Sequence, residues 1–132
     1  MDEKAWESLK LAAEQARSHA YAPYSNFSVG AALRGASGAV FVGCNVENAS
    51  YGATLCAERA AMAAAVAAGE LEFVALAIVS GAPKPTPPCG ICRQCLFELG
   101  PSVPIRSFSG TDHAEYDLAE LLPDAFDAAQ LD

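Results

Sequence analysis

Two short stretches, Cys56-Ala57-Glu58-Arg59 and Pro88-Cys89-Gly90-Ile91-Cys92, offer three thiolates and a carboxylate to one metal ion. A C-x-x-C at a helix start can hold a metal from two sides, but two thiolates leave a divalent zinc short of its usual four ligands, and Cys56 is the natural third. Cys44 and Cys95 are alternative ligands that would close the site. Cys44 falls in a strand pattern and Cys95 one turn beyond Cys92, and both read as buried small side chains. His19 and His113 stand apart from the cysteine motifs in sequence and read as surface residues. With three protein ligands, the fourth zinc position is open, and a water there has its pKa lowered to roughly 7.

Glu58, two residues beyond Cys56, is close enough to face the same cavity without being a ligand, and can take a proton from such a water. Its bland alternative is an ordinary first-turn glutamate, favourable to the helix dipole. Three thiolates and one zinc ion sum to a formal charge of −1, which opposes deprotonation of the water. Arg59 sits oddly for a generic first turn, where a cation opposes the dipole, and a place behind the ligands, offsetting the excess thiolate charge, is the reading preferred over a solvated arginine.

Several elements must position these residues. Trp6, Leu9, Ala13 and Ala16 recur at helical spacing between Asp2 and about Ala20, with core packing as the role of Trp6, and Pro23 stops that helix. Residues 27–33 and 40–45 read as a hairpin around Gly35, Ser37 and Gly38. After a loop at 48–52, Thr54 is expected to cap an alanine-rich helix from Cys56 to Ala68, closed by Gly69. Residues 73–79 form a nearly continuous apolar run suited to a strand covered on both faces. A loop with Pro83, Pro85, Pro87 and Pro88 then delivers a helix from Cys89 to Leu99, ended by Gly100 and Pro101, and a strand over 103–108. A short strand near 114–116 and a helical turn near 118–122 complete an α/β order in which helices cover a mixed sheet.

The 132 residues, 52% of them hydrophobic, suit one domain over 1–132 that buries roughly two thirds of its unfolded surface. No apolar run reaches the roughly 20 residues needed to span a bilayer, and the N-terminus lacks the pattern of a secretion signal, so a cytoplasmic protein is expected. Five cysteines are an odd number without a secreted disulfide framework, and in a reducing compartment they point to metal or chemistry. The net charge of −8, with seven acidic residues and no Lys or Arg after Arg106, disfavours nucleic acid or an anionic membrane as a partner.

Taken together, the residues resemble the cytidine deaminases of the small homotetrameric type that use three cysteines for zinc. The resemblance runs through Tyr21-Ala22-Pro23-Tyr24-Ser25, Phe27-Ser28-Val29-Gly30-Ala31-Ala32, Gly43-Cys44-Asn45-Val46-Glu47-Asn48, both cysteine motifs with Arg93-Gln94, and Leu121-Leu122-Pro123. It implies a three-layer α/β/α fold with a mixed five-stranded sheet, one Zn2+ per subunit on Cys56, Cys89 and Cys92, and Glu58 as catalytic residue. The implied activity is hydrolysis at the C–N bond of a cyclic amidine: zinc-bound hydroxide attacks C4 while Glu58 shuttles protons. Cytidine and deoxycytidine become uridine and deoxyuridine with release of ammonia, in pyrimidine salvage.

By the same resemblance, Phe27 packs on the pyrimidine, Asn45 and Glu47 bind the ribose hydroxyls, and the Ala57 amide meets the pyrimidine carbonyl. Gln94 helps hold Arg59, and Tyr51 and Phe126 lie near subunit contacts where they complete a neighbour's pocket in a homotetramer. The residues support the pocket roles, since an aromatic face suits a planar base and alternate strand positions point the same way. Three other readings stay open: another small zinc deaminase such as a blasticidin-S deaminase, a structural zinc module that binds a protein, and a thiol redox protein built on Cys89 and Cys92.

Overall fold

Asp2 starts the first helix, its Oδ1 accepting from the Ala5 amide at 2.8 Å. In this computed structural model, which describes residues 1–132, α1 runs Glu3–Arg17 and buries Trp6, Leu9, Ala13 and Ala16 on one face. β1 (Val29–Gly35) and β2 (Val40–Cys44) form the antiparallel hairpin, with Gly38 at φ +91° in the turn, a conformation that favours glycine. The hairpin starts two residues later than the apolar pattern suggests. The Asn45 side chain takes the Phe27 carbonyl and the Val29 amide, at 2.7 and 2.8 Å, so that stretch is held by a side chain and not by a ladder.

α2 (Ala57–Ala67) ends before Gly69, at φ +86°. Thr54 is not its cap, contrary to expectation. Val46 and Leu55 form an isolated antiparallel bridge that keeps the chain extended through residue 55, so Cys56 becomes the N-cap, and the Thr54 Oγ1 accepts from Asn48 instead. β3 (Phe73–Ser80), α3 (Gly90–Leu99), β4 (Ile105–Ser109), β5 (Asp112–Tyr116) and the single turn α4 (Leu118–Leu121) follow. Short 3-10 turns at Tyr51–Ala53 and Ala128–Leu131 have no counterpart in the sequence pattern.

The five strands lie in the order β2-β1-β3-β4-β5, with β3 and β4 parallel and every other pair antiparallel. A parallel neighbour needs a crossover, which α3 supplies. Side chains alternate across this sheet between two cores. Leu33, Leu76, Ile78 and Ile105 pack with Ala57, Ala61 and Ala65 of α2 and Leu96 of α3, while Ala32, Ala75, Ala77 and Phe108 pack with Trp6, Leu9 and Ala13 of α1. The sheet is thus the middle of three layers.

Arg106 on β4 fastens α1 to its layer. Its guanidinium is paired with Glu3, at 2.9 Å, and with Glu115, and lies 4.7 Å over the Trp6 ring, so its buried charge is matched from α1 and from β5. No helix is long and apolar enough to cross a membrane.

Gly43 sets how closely α2 approaches the hairpin. A Cβ there would fall on the Ala57 carbonyl oxygen and come within 2.8 Å of the Ala60 Cβ. Gly43→Ala must push away the helix turn that carries Cys56 and Glu58, at a cost of roughly 1–3 kcal/mol. Chemical denaturation should show that loss, and an unchanged midpoint would contradict the close approach.

Candidate metal centre and active site

The starts of α2 and α3 converge on one point. Cys56 is the N-cap of α2 and Cys89 that of α3, each with extended backbone and without a side-chain cap hydrogen bond. The positive ends of both helices are therefore left to the sulfurs. Cys92, one turn into α3, is buried. The three Sγ atoms lie within 4.8 Å of one another, with Cys56 and Cys89 3.5 Å apart. Tetrahedral zinc with Zn–S of about 2.3 Å separates its sulfurs by about 3.8 Å, so the donor set and its spacing fit that ion.

The electrostatics point the same way. A hydrogen bond from Cys92, aided by Arg59, pulls the Cys56 thiol down to about 5, while the same bond pushes Cys92 up. Three sulfurs packed this closely with a guanidinium behind them suit a divalent cation, which takes the place of thiol protons on binding. Cys44 and Cys95 do not belong to this group, and both are half-buried where full burial was expected.

Arg59 stands behind the ligands. Its Nη2 donates to the Thr54 carbonyl at 3.1 Å and to the Cys56 sulfur at 3.6 Å, and that hydrogen bond to the sulfur, with its negative charge, raises the pKa of the guanidinium. Glu58 is 5% exposed, and burial pushes its carboxyl up to about 7, with the Cys56 thiolate adding to the rise. A carboxyl poised near neutrality can both accept and donate a proton.

Phe27, Asn45, Cys56, Ala57, Glu58 and Cys89 line a single cavity, together with Val29, Thr54, Ile78, Thr86 and Pro87. Glu47 and Tyr51 line an adjoining hollow with Tyr24, Ser25 and Asn48, and Thr54 is a wall of both. Hydrogen bonds from the Ser25 hydroxyl and from the Tyr24 and Ser25 amides hold the Glu47 carboxyl below the usual carboxylate range. The Ser25 Oγ in turn accepts from the Phe27 amide at 3.0 Å. Asn45 and Glu47 thus also brace the segment that carries Phe27.

Two residues stand elsewhere. Phe126 is 58% exposed and lines neither hollow. Gln94, expected beside Arg59, donates instead to the Phe126 carbonyl at 2.8 Å, because the C-terminal segment folds back along α3. The sequence reading missed Thr54, Thr86 and Pro87 as walls and Ser25 as a brace. Thr86 is fixed by the hydroxyls of Ser80, the last residue of β3, and Ser107, in the middle of β4. Its place in the proline-rich loop just before Cys89 was the available signal.

Residues 3–107 match the model of the cytidine and deoxycytidylate deaminase zinc-binding region. A cytidine deaminase of Halalkalibacterium halodurans is 48% identical over 120 residues, covering 89% of this chain and 90% of that protein. One of Mycobacterium tuberculosis is 46% identical over 126 residues, covering 92% and 89%. The crystal structure of a cytidine deaminase from Burkholderia pseudomallei superposes with a TM-score of 0.88 at 50% identity, covering 96% of this chain and all (100%) of that one.

Removing one sulfur tests the ligand set. Cys89→Ala leaves two thiols and should lose zinc on purification, read by elemental analysis against the unaltered chain. Full occupancy in that variant would contradict the assignment.

Proposed function

The chain belongs to the cytidine and deoxycytidylate deaminase family, and we propose that it uses the cysteine-lined cavity to hydrolyse cytidine and deoxycytidine to uridine and deoxyuridine, as a single domain over 1–132. The observation that carries this reading is the cavity itself, which the Phe27 ring, the buried Glu58 carboxyl and two of the three clustered cysteines, Cys56 and Cys89, line together. A structural zinc module needs no such hollow, and a thiol redox protein needs neither Glu58 nor Phe27.

Cys56, Cys89 and Cys92 would hold the zinc, which supplies Lewis acidity toward a water at neutral pH. Arg59 offsets the net negative charge of the thiolates, so that this acidity is not spent. Glu58 receives a proton from the attacking water and passes it to N3 of the base. It then takes the second proton from the hydroxyl now on C4 and passes it to the amine, so that C4 keeps its oxygen as a carbonyl, the C4–N bond breaks and ammonia leaves. One buried carboxyl near neutrality serves both transfers.

Phe27 packs on the ring, and the Ala57 amide, in the first turn of α2, donates to the pyrimidine carbonyl. Asn45 and Glu47 take the ribose hydroxyls with the hydrogen-bonding capacity their bracing bonds leave over: an amide offers two donors and two lone pairs, a carboxylate about four. Tyr51, 75% exposed, and Phe126 fit residues that meet a neighbouring subunit and complete its pocket in a homotetramer. A cytoplasmic enzyme of pyrimidine salvage is the setting this implies.

Ammonia release from cytidine, deoxycytidine, cytosine and blasticidin S tests the substrate, with turnover expected for the two nucleosides; negligible turnover of both would sink the proposal. Glu58→Gln should keep its zinc and lose about 10²–10⁴-fold or more in kcat. Near-normal turnover would remove Glu58 from the mechanism.

A further inference from the structure

Arg93, on the helix that carries Cys92, spends its cation on backbone carbonyls. Its Nε donates to the Pro88 carbonyl at 2.8 Å and its Nη1 to the Leu121 carbonyl at 3.0 Å. Its own backbone amide donates to the Cys89 carbonyl at 2.9 Å. Both carbonyls around Cys89, the one before it and its own, are therefore tied to one residue. The Pro88 carbonyl belongs to the planar peptide that enters Cys89, so fixing its direction restricts the orientation of that cysteine. Pro88 is fully buried and has no N–H of its own to anchor it.

The far end of the fork rests on a firm point. Leu121 is the last residue of α4, where carbonyls lack a partner within the helix, and α4 is seated in the core by Leu118, 1% exposed and clustered with Leu96 and Val103. Gln94 already fastens the C-terminal segment, at the Phe126 carbonyl. The distinctive contribution of Arg93 is to the metal turn.

We propose that Arg93 is a positioning residue for the metal site, a strut that uses α4 as its anchor to hold the Pro88–Cys89 peptide where the Cys89 sulfur meets Cys56 and Cys92. The inference rests on those three cysteines being the zinc ligands. The planar guanidinium is needed because it spans two carbonyls at once, which a lysine ammonium on a flexible stem does not do in a fixed geometry. The C-terminal turn thereby becomes part of what retains the metal, although none of its side chains is a ligand.

The test measures zinc release from the full-length, zinc-loaded chain to an excess of a chromogenic chelator, together with thermal midpoints of the zinc-loaded and zinc-free forms. Arg93→Met keeps the apolar stem and removes both hydrogen bonds, and should speed release by about 10–100-fold, the scale for groups that orient metal ligands. Arg93→Lys should fall between, and it carries the test if the methionine variant does not fold. The midpoint of the zinc-loaded form should drop more than that of the zinc-free form. Unchanged release, with both midpoints lowered equally, would overturn the proposal and leave Arg93 as a clip for the C-terminal segment. An unaltered chain that binds no zinc would overturn the ligand assignment and the strut together, whereas zinc bound by the unaltered chain and released at one rate from all three proteins would overturn the strut alone.

Discussion

Cys56 and Cys89 are 33 residues apart in the chain, and their sulfurs stand 3.5 Å apart. That meeting, with Cys92 alongside, constrains the rest of the structure, because helix starts in two separate elements must be delivered to one point with their positive ends inward. The delivery is made by backbone packing. Gly43 lets α2 lie against β2 without an intervening side chain. The parallel pairing of β3 and β4 brings α3 back across the same face of the sheet, where Ala57, Ala61 and Leu96 share one core. Small alanines on α2 are what permit this spacing, since a larger residue facing Leu33 or Ile78 would separate helix from sheet.

Charge is the second constraint. Concentrated thiolates are costly unless something positive faces them, and here it comes from two helix ends, from Arg59 and, when bound, from the metal. Burial, and to a lesser extent the same negative neighbourhood, raises Glu58 toward neutrality. A carboxylate in water remains ionised at neutral pH and is a poor proton donor. The arrangement that attracts a cation thus also tunes the acid that works beside it.

Much of this was legible from residue types. The helical spacing of Trp6, Leu9, Ala13 and Ala16 identified the buried face of α1, and the apolar run at 73–79 identified the central strand, because burial on one or both faces leaves a periodic mark. The cysteine spacings named the metal group for the same kind of reason, a local pattern with one chemical use. What escaped was carried by contacts between distant residues. Asn45 bonds the backbone at Phe27 and Val29, Glu47 bonds the turn at Tyr24 and Ser25, and Gln94 reaches Phe126, and none of these pairs makes a period. Thr54 misled because a Thr ahead of an alanine-rich run has the composition of a cap, while the bridge between Val46 and Leu55 that displaced the helix start lies outside any local window. Dual use of Asn45 and Glu47, bracing the Phe27 segment and offering capacity to a ligand, likewise became visible only in three dimensions.

The central claim is that three sulfurs hold one zinc ion and leave its fourth position for chemistry. X-ray absorption at the zinc edge of the purified chain reads this directly, without substrate or mutation. The account predicts three sulfur scatterers at about 2.3 Å and one oxygen or nitrogen scatterer at about 2.0 Å. Four sulfur scatterers, which would bring Cys44 or Cys95 into a closed site, or a protein without zinc, would contradict it.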